Sequence, residues 1–222
     1  MKTVKAASPF DRHAAGYDRW YDEKDGKIIF ATEVKALQEV LPGLPKPWLE
    51  AGVGSGRFAS ALGIRTGIDP SARLLQKAKS RGIITIKGRI EDRIIPLESF
   101  GTVFLIMTLC FLDNPGLALR EIHRILKPQG KLVLGEVPAY SPWGQLFRQK
   151  KRDAHPFYKY ANFYTFDDLA SMLENAGFDI CMTVSTLVQK PGKLQAVEIP
   201  LNDYCEDAGF LVIVGVKTKA SL

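Results

Sequence analysis

The sequence predicts an α/β fold in which helices alternate with the strands of a mostly parallel sheet. From about residue 48 onward, short apolar segments alternate with amphipathic helical segments. One apolar segment, 102–107, is continuous, as expected of a strand buried on both faces of a parallel sheet. A glycine-rich segment, 52–56, follows the first strand and precedes a helix. Together these observations predict one layered α/β domain.

The composition is that of a globular domain. The chain has 222 residues, of which 46% are hydrophobic and 24% charged, so intrinsic disorder is excluded. The longest apolar run, 103–112, is interrupted by Thr108 and falls short of the roughly 20 residues of a membrane-spanning helix. No apolar stretch follows the first lysines, so a signal peptide is not predicted.

Cysteine usage and charge restrict the functional classes further. The three cysteines are far apart and form no CxxC pair, which disfavours a disulfide framework and a zinc site and predicts a cytoplasmic protein. The net charge of +6 is compatible with an anionic partner but does not indicate one. We therefore expect neither a membrane nor a nucleic acid as partner, and the sequence leaves the oligomeric state open.

Two helices are predicted before the first strand, because apolar residues recur there at helical spacing. The residues that define these two faces are Phe10, Ala14, Tyr17 and Tyr21 in the first, and Phe30, Val34, Leu37 and Leu41 in the second. Pro42 and Gly43 end the second helix.

The strands are predicted at 48–51, 64–69, 83–87, 102–107, 131–137, 178–188 and 210–216. A helix at about 71–81 ends at Gly82. Another begins at Asn114 with Pro115 in its first turn and is stopped by Pro128 and Gly130. A third begins at Thr165. No helical pattern separates the last two strands, so they are expected to pair antiparallel across a loop of about 20 residues.

Segment 138–164 is aromatic, basic and poorly periodic. It follows a strand on the side of the sheet where open α/β folds bind ligands. We therefore expect it to form a lid over a bound substrate, with Trp143 and Tyr158 as the residues that contact this substrate. The alternative is an amphipathic segment that only packs on the sheet edge or mediates a dimer contact.

The glycine segment carries the most specific motif, which reads Glu50-x-Gly52-x-Gly54-x-Gly56. Glycines allow a sharp turn and a close approach of a ligand to the backbone. A dinucleotide-binding motif would have glycine at the position of Arg57, and the Lys-Ser/Thr pair of a P-loop is absent. The motif resembles motif I of the class I S-adenosylmethionine-dependent methyltransferases.

The resemblance extends over nearly the whole chain. Segment 119–134 resembles the helix–turn–strand that follows the methyl-donor site, and 10–18 resembles the helix that small-molecule methyltransferases fold over the donor. The ubiquinone/menaquinone-biosynthesis-like branch is the most similar. The resemblance implies a Rossmann-like, doubly wound, seven-stranded sheet, mostly parallel with an antiparallel C-terminal strand. It also implies a single domain, 1–222, divided into a helical cap (1–45), a donor-binding core (46–137), a lid insertion (138–164) and a C-terminal helix with a strand pair (165–222).

The donor implied by the resemblance is S-adenosylmethionine. Asp69 ends the second strand and is suited to accept hydrogen bonds from a ribose diol, although it could instead start the next helix. Near the adenine, Arg89 stands where related enzymes have an Asp, so it could stack on the base or belong to a solvated loop. The residues expected to contact the donor are Glu50, Gly52, Val53, Gly54, Gly56, Asp69, Pro70, Arg89, Ile90, Glu91, Met107, Thr108 and Tyr17.

No catalytic residue stands out in the sequence. Related enzymes have a His pair near Cys110 and an acid at the position of Gly101, and both are missing. Cys110 lacks a partnered base, so inert packing is favoured over a nucleophilic role. His155 is a weak general-base candidate, ahead of His13 and His123. The histidines do not pair with acids at metal-ligand spacing, so no metal is predicted.

The predicted function is direct methyl transfer from S-adenosylmethionine to a small-molecule acceptor. Direct transfer needs alignment of the reactants and exclusion of water, which explains why no catalytic dyad is required. Two alternatives stay open at this stage. One is methylation of RNA or another macromolecule, suggested by the basic aromatic segment. The other is a donor-binding protein without transferase activity.

Overall fold

The computed structural model describes residues 14–218, apart from the side chains of Ala14, Ala15 and Tyr17. The predicted positions Phe10 and His13, and the expected contact between the Tyr17 side chain and the donor, lie outside the described part.

A seven-stranded mixed sheet forms the centre of the molecule. Its strands are β1 (Trp48–Ala51), β2 (Thr66–Asp69), β3 (Ile84–Lys87), β4 (Phe100–Ile106), β5 (Leu126–Glu136), β6 (Phe178–Thr186) and β7 (Phe210–Lys217). Their order across the sheet is β3-β2-β1-β4-β5-β7-β6. The first five strands are parallel, and β7 is antiparallel to both β5 and β6. This arrangement confirms the predicted fold, including the antiparallel pairing of the last two strands.

Seven helices accompany the sheet in the described part of the chain. They are α1 (Ala14–Trp20), α2 (Lys24–Glu39), α3 (Arg57–Leu62), α4 (Ala72–Ser80), α5 (Pro115–Ile125), α6 (Pro142–Arg152) and α7 (Phe166–Asn175). Local signals start several of them. Asn114 accepts a hydrogen bond from the Leu117 amide at the start of α5, and Thr165 forms a capping box with Asp168 at the start of α7.

The core consists of two apolar clusters, one on each face of the sheet. Strand β4 contributes to both, because successive side chains of a strand point to opposite faces. Phe104 and Ile106 belong to the cluster that includes residues of α2 and α3. Val103 and Leu105 belong to the cluster that includes residues of α5 and α7. The prediction that this strand is buried on both faces is confirmed.

The boundary between α5 and β5 differs from the prediction. The helix was expected to run to Pro128 and the strand to start at 131, but the helix ends at Ile125 and β5 begins at Leu126. Leu126 pairs with Phe100, and the register then shifts before Lys131 pairs with Thr102. Gln129 has a φ of 61° within this irregularity. The Pro–Gly signal therefore marks a bulge inside the strand and not the end of the helix.

Segment 138–164 contains a helix, α6, that the sequence analysis did not predict. Ser141 accepts a hydrogen bond from the Gly144 amide at 3.1 Å, and Pro142 occupies the first turn. Its buried face holds only Trp143, Gly144 and Phe147. A face of three residues is too short to stand out as a helical period.

No helix among residues 14–218 is long and apolar enough to cross a membrane.

Candidate functional site

The glycine segment forms a tight loop at the carboxyl end of β1. Gly52, Gly54 and Gly56 adopt φ values of 74°, 52° and 79°, a region that favours glycine. A Cβ atom at Gly52 would lie closer than 3.0 Å to three atoms of the Thr108 side chain. The loop after β1 therefore lies directly against the segment that follows β4.

Asp69 connects this loop to β2 and α4. Its Oδ2 accepts a hydrogen bond from the Gly54 amide at 3.0 Å, and its Oδ1 accepts one from the Ser71 amide at 2.7 Å. Ser71 itself caps α4 by accepting from the Leu74 amide. Each carboxylate oxygen has a second lone pair, so these contacts are compatible with binding of a ribose diol. That role stays a prediction.

Glu50 is buried in the floor of the loop. The residue is only 2% exposed. Burial raises its pKa well above the usual value, and the negative charge of Asp69 adds to this, while a hydrogen bond from the Ala59 backbone acts in the opposite direction. Its Oε2 atom is buried and has no hydrogen-bond partner among the described residues. A buried oxygen without a hydrogen-bond partner, beside the glycine loop, is compatible with a site in which a bound polar ligand supplies the missing hydrogen bond.

Arg89 is held by carboxylates on two loops. Its guanidinium donates to Glu91 Oε1 at 3.0 Å and to Asp113 Oδ2 at 3.3 Å. Glu91 is mostly buried, with Oε2 lacking a partner in the described part, and the Ile90 side chain packs into the core. The segment is therefore an ordered turn and not a solvated loop. Its predicted contact with the adenine stays untested.

A buried ion-pair cluster, which sequence reasoning missed, attaches α1 to the glycine loop. Asp18 accepts hydrogen bonds from Ser55 Oγ at 2.7 Å, Arg57 Nε at 2.8 Å, Lys77 Nζ at 3.1 Å and Arg81 at 3.2 Å. Burial alone would raise the pKa of Asp18, but these four donors outweigh it and hold the pKa well below its usual range. Arg57, which stands where the dinucleotide motif has a glycine, therefore helps to attach α1 to the glycine loop by pairing with Asp18.

A narrow cleft lies beside the segment that follows β4. Met107, which follows β4, lines one wall, and the opposite wall includes Phe147, Tyr158 and Phe163 from segment 138–164. The Phe147 and Tyr158 rings are stacked with centroids 4.5 Å apart. Because Thr108 contacts Gly52, the cleft and the glycine loop share the segment after β4 as a common wall.

Glu136 is a second functional candidate that the sequence analysis did not single out. It is the last residue of β5, is 4% exposed and lines the cleft. Burial raises the pKa of Glu136 to about 7, although hydrogen bonds from Cys110, Leu109 and Thr108 counteract part of this effect. The signal in the sequence was an acid directly after the uncharged stretch 132–135, which by itself does not distinguish Glu136 from an ordinary strand residue.

The structure also places three further residues that the sequence analysis considered for a functional role. Trp143 packs on Gly209, donates from Nε1 to the Gln189 carbonyl at 2.8 Å, and is not among the residues that line the cleft. His155 lies behind Tyr158, with ring centroids 4.9 Å apart. Its pKa is lowered by burial and by Lys150. Cys110 is buried, and burial raises the pKa of its thiol, as expected of an unreactive cysteine.

Gly101 explains why the acid of related enzymes is missing at the start of β4. A Cβ atom there would lie closer than 3.0 Å to backbone atoms of Pro45 and Lys46. The backbone before β1 therefore occupies the space that a side chain would need.

Within residues 14–218, no group of three or more His, Cys, Asp or Glu side chains could hold a metal ion.

Comparison with known proteins identifies the family. The family model for the methyltransferase domain matches residues 24–182. The chain belongs to the methyltransferase-domain family. A Thermotoga maritima structure described as an S-adenosylmethionine-dependent methyltransferase, "possible histamine N-methyltransferase", superimposes with a TM-score of 0.88 at 35% identity and covers 95% of this chain and 98% of its own. S-adenosylmethionine is therefore the methyl donor of this class I methyltransferase.

Two sequence relatives cover most of this methyltransferase. An uncharacterized protein of Mycobacterium tuberculosis is 38% identical over 214 residues, which are 96% of this chain and 75% of the relative. An uncharacterized protein of Methanocaldococcus jannaschii is 33% identical over 208 residues, which are 94% of this chain and 98% of the relative.

The glycine loop fits the donor by two structural criteria. The backbone at Gly52 leaves no room for a side chain, and the Glu50 carboxyl keeps one buried oxygen without a partner. Together with Asp69, these residues would hold S-adenosylmethionine, which supplies an electrophilic methyl group on a sulfonium centre. The predicted contacts of Val53, Pro70, Met107 and Thr108 stay predictions.

Alanine at Gly52 is expected to damage the donor site more than alanine at a comparable glycine. Gly63 has nearly the same φ, 73°, but a Cβ atom there would meet nothing within 4 Å. Gly63→Ala should cost about 1–2 kcal/mol of folding free energy from the left-handed backbone alone. Gly52→Ala should cost more and also weaken S-adenosylhomocysteine binding, because the new methyl group collides with Thr108. Equal stability losses and equal affinities for the two variants, from chemical denaturation and calorimetric titration, would contradict this account of the loop.

Proposed function

We propose that this methyltransferase acts on a small-molecule acceptor by direct methyl transfer. The observation that carries the proposal is the narrow cleft beside the donor loop. Its lining residues come from the segment after β4, from the end of β5 and from segment 138–164. Its walls are mostly apolar and aromatic, which suits a small organic molecule that must be separated from water.

The residues of this chain contribute alignment and shielding. The glycine loop and Asp69 hold the donor at the carboxyl ends of β1 and β2, and the cleft lies at the carboxyl ends of β4 and β5. An acceptor in the cleft is thereby placed next to the donor. Exclusion of water by the aromatic wall favours direct displacement and prevents hydrolysis.

The division into a helical cap (1–45), a donor-binding core (46–137), a lid (138–164) and a C-terminal part (165–222) is part of this proposal. In the described portion of the cap, α1 is attached to the donor loop through Asp18. In the lid, Tyr158 lines the cleft. Trp143 does not line it and instead donates a hydrogen bond to the Gln189 carbonyl. We therefore assign acceptor contact to Tyr158 and a supporting role to Trp143.

Macromolecular acceptors are less well supported, because the cations of the lid are engaged within the lid. Arg148 lies over Tyr140, Lys150 beside Phe147 and Tyr158, and Lys159 over Tyr160. Lys151 donates to the Ala161 carbonyl, and Arg152 pairs with Gln149. Tyr140 and Tyr160 are nevertheless exposed, so a macromolecular acceptor stays the alternative that the experiment must test.

The description of the Thermotoga maritima relative as a "possible histamine N-methyltransferase" agrees with a small acceptor for this chain. A relationship to the ubiquinone/menaquinone-biosynthesis-like branch stays a prediction, as does a cytoplasmic location. The cysteines Cys110, Cys181 and Cys205 are unpaired, which is compatible with a reducing compartment.

The experiment that tests the proposal follows a labelled methyl group. The protein is incubated with S-adenosylmethionine carrying a radioactive methyl group and with a cell extract, which is then separated into small molecules, RNA and protein. We expect protein-dependent label in the small-molecule fraction. Label confined to RNA or protein would contradict the proposal, as would the absence of transfer from a protein that binds S-adenosylhomocysteine.

Tyr158→Ala is expected to reduce turnover of the acceptor at least tenfold, an effect of about 1.4 kcal/mol on the transition state, while donor affinity changes little. The matched control is Tyr140→Ala, which removes an aromatic ring from the same segment at a position that is 64% exposed. Steady-state kinetics and donor titration on both variants check this expectation. Similar losses for the two tyrosines would mean that the effect is general to the segment and does not arise in the cleft.

A further inference from the structure

The cleft contains a single acidic group among walls that are otherwise apolar, aromatic or uncharged. Among the described residues that line it, Glu136 is the one with a carboxyl group. A buried carboxylate in apolar surroundings is costly unless a partner compensates its charge. No lysine or arginine belongs to the lining of the cleft. The Glu136 carboxylate therefore presents a negative charge to a ligand in the cleft.

The carboxyl group of Glu136 is held in a defined position. It accepts a hydrogen bond from the Cys110 amide at 3.3 Å, and the nearby Leu109 and Thr108 amides and the Cys110 thiol favour its ionised form and lower its pKa. These donors belong to the short 3₁₀ turn Leu109–Phe111 and the residue before it. Glu136 is thus fixed against the same segment that forms the common wall with the glycine loop.

The aromatic wall of the cleft already has a cation beside it. Lys150 Nζ lies 5.5 Å from the centroid of Phe147 and 5.6 Å from that of Tyr158. The ring faces of this pair therefore already attract one cation. Because Lys150 places its charge beside this stack, a ligand with one positive charge is best oriented with that charge toward Glu136.

We propose that Glu136 binds the ammonium group of an amine acceptor and removes its proton, so that this enzyme methylates nitrogen. The inference rests on the methyltransferase function proposed above. The ammonium R–NH₃⁺ gives H⁺ to the Glu136 carboxylate, which leaves R–NH₂ with a free lone pair. The nitrogen uses this pair to form the N–C bond, and the electron pair of the C–S bond goes to sulfur. The product is the methylammonium ion.

The ionisation of Glu136 suits this task. With its pKa raised by burial to about 7, both protonation states are accessible near neutral pH, as a proton acceptor requires. The titratable groups that face it are Cys110 and Tyr164, and the pKa of each is raised by burial. Tyr158 lies across the cleft, with Lys150 and His155 behind it.

The test measures binding in the absence of turnover. The full chain, saturated with S-adenosylhomocysteine, is titrated calorimetrically with phenethylamine and with the uncharged analogue 2-phenylethanol. The wild-type protein should bind the amine at least tenfold more tightly than the alcohol. E136Q should reduce this preference below about threefold, because the charge of the carboxylate is removed. E33Q is the matched control, since Glu33 is also a buried acid with a raised pKa but does not line the cleft.

The pH dependence gives an independent readout. Between pH 6 and pH 8 the probe stays protonated while Glu136 loses its proton, so wild-type affinity for phenethylamine should rise about tenfold. Affinity for 2-phenylethanol should not rise, and E136Q should show no such increase. The His155 titration persists in E136Q, so a rise that survives in this variant would belong to another group.

Three outcomes would overturn the proposal. They are equal wild-type affinity for the two probes, an amine preference that persists in E136Q, and no detectable binding of either probe at about 10 mM. The comparison of probes on the wild-type protein does not depend on the variant folding. Failure of S-adenosylhomocysteine to bind would instead overturn the proposed function and, with it, this inference. Donor binding without amine preference would overturn the inference alone.

Discussion

Asp69→Asn is expected to weaken binding of S-adenosylmethionine by about 1–3 kcal/mol, the usual effect of losing a charge-assisted hydrogen bond. Both carboxylate oxygens of Asp69 organise the site, since one accepts from the Gly54 amide and the other from the Ser71 amide. The amide of asparagine keeps one acceptor oxygen and replaces the other with a donor. It therefore opposes the backbone N–H that it now faces and offers less to the ribose.

The measurement for Asp69→Asn is calorimetric titration with S-adenosylhomocysteine. Asp179→Asn serves as the control, because it makes the same chemical change at an exposed position on β6. Its affinity should equal that of the wild-type protein. Unchanged affinity in a folded Asp69→Asn variant would mean that Asp69 only supports the loop and the start of α4.

Asp18→Asn is expected to lower the free energy of unfolding by about 2 kcal/mol and to weaken donor binding. The substitution removes the charge that Arg57, Lys77 and Arg81 share, while Ser55 keeps a hydrogen-bond partner. Breaking a fully buried ion pair costs about 3–5 kcal/mol, but Lys77 and Arg81 retain part of their exposure. The expected loss is smaller for that reason. Weaker attachment of α1 should also make the donor loop less ordered.

The pH dependence of this effect has a definite sign. The pKa of Asp18 is lowered in the folded protein, so its stabilising contribution is present above the unfolded-state pKa of about 3.9 and is lost as the pH falls below that value. The stability difference between wild type and Asp18→Asn should therefore be constant from pH 5 to 8 and shrink below about pH 4. Chemical denaturation as a function of pH measures it.

Asp22→Asn is the matched control for Asp18→Asn. Asp22 bonds to the same Arg57 side chain at 2.8 Å, but its own side chain is 59% exposed. An exposed pair of this kind contributes about 0–1 kcal/mol. A loss for Asp22→Asn as large as that for Asp18→Asn, or a stability difference at pH 2 as large as that at pH 7, would contradict the assigned role of the buried cluster.

Local signals made much of the fold predictable. The caps at Asn114 and Thr165 and the buried strand β4 depend on residues that are near one another in sequence. The antiparallel end of the sheet followed from the missing helix between the last two strands. The β5 boundary was predicted incorrectly because Pro128 and Gly130 are ordinary helix-stop residues, whereas here the strand accommodates them in a bulge. That outcome depends on pairing with Phe100, which is distant in sequence.

The candidate site was predictable where a motif lies in one segment and hidden where distant segments meet. The glycine loop and Asp69 were found from a spacing of 15 residues and a strand end. Asp18 meets its partners Ser55 and Arg81 across 37 and 63 residues, so its role arises only in the folded chain. Glu136 likewise gains its raised pKa from burial against the turn after β4. Its functional importance could not be separated in sequence from that of an ordinary strand residue.

The most direct test of the account is whether the glycine loop and Asp69 form a site for S-adenosylmethionine and not for a dinucleotide. Calorimetric titration of the wild-type chain with S-adenosylhomocysteine and, separately, with NAD measures this. We expect one molecule of S-adenosylhomocysteine to bind per chain and NAD to show no detectable binding. Preferential binding of NAD would contradict the account.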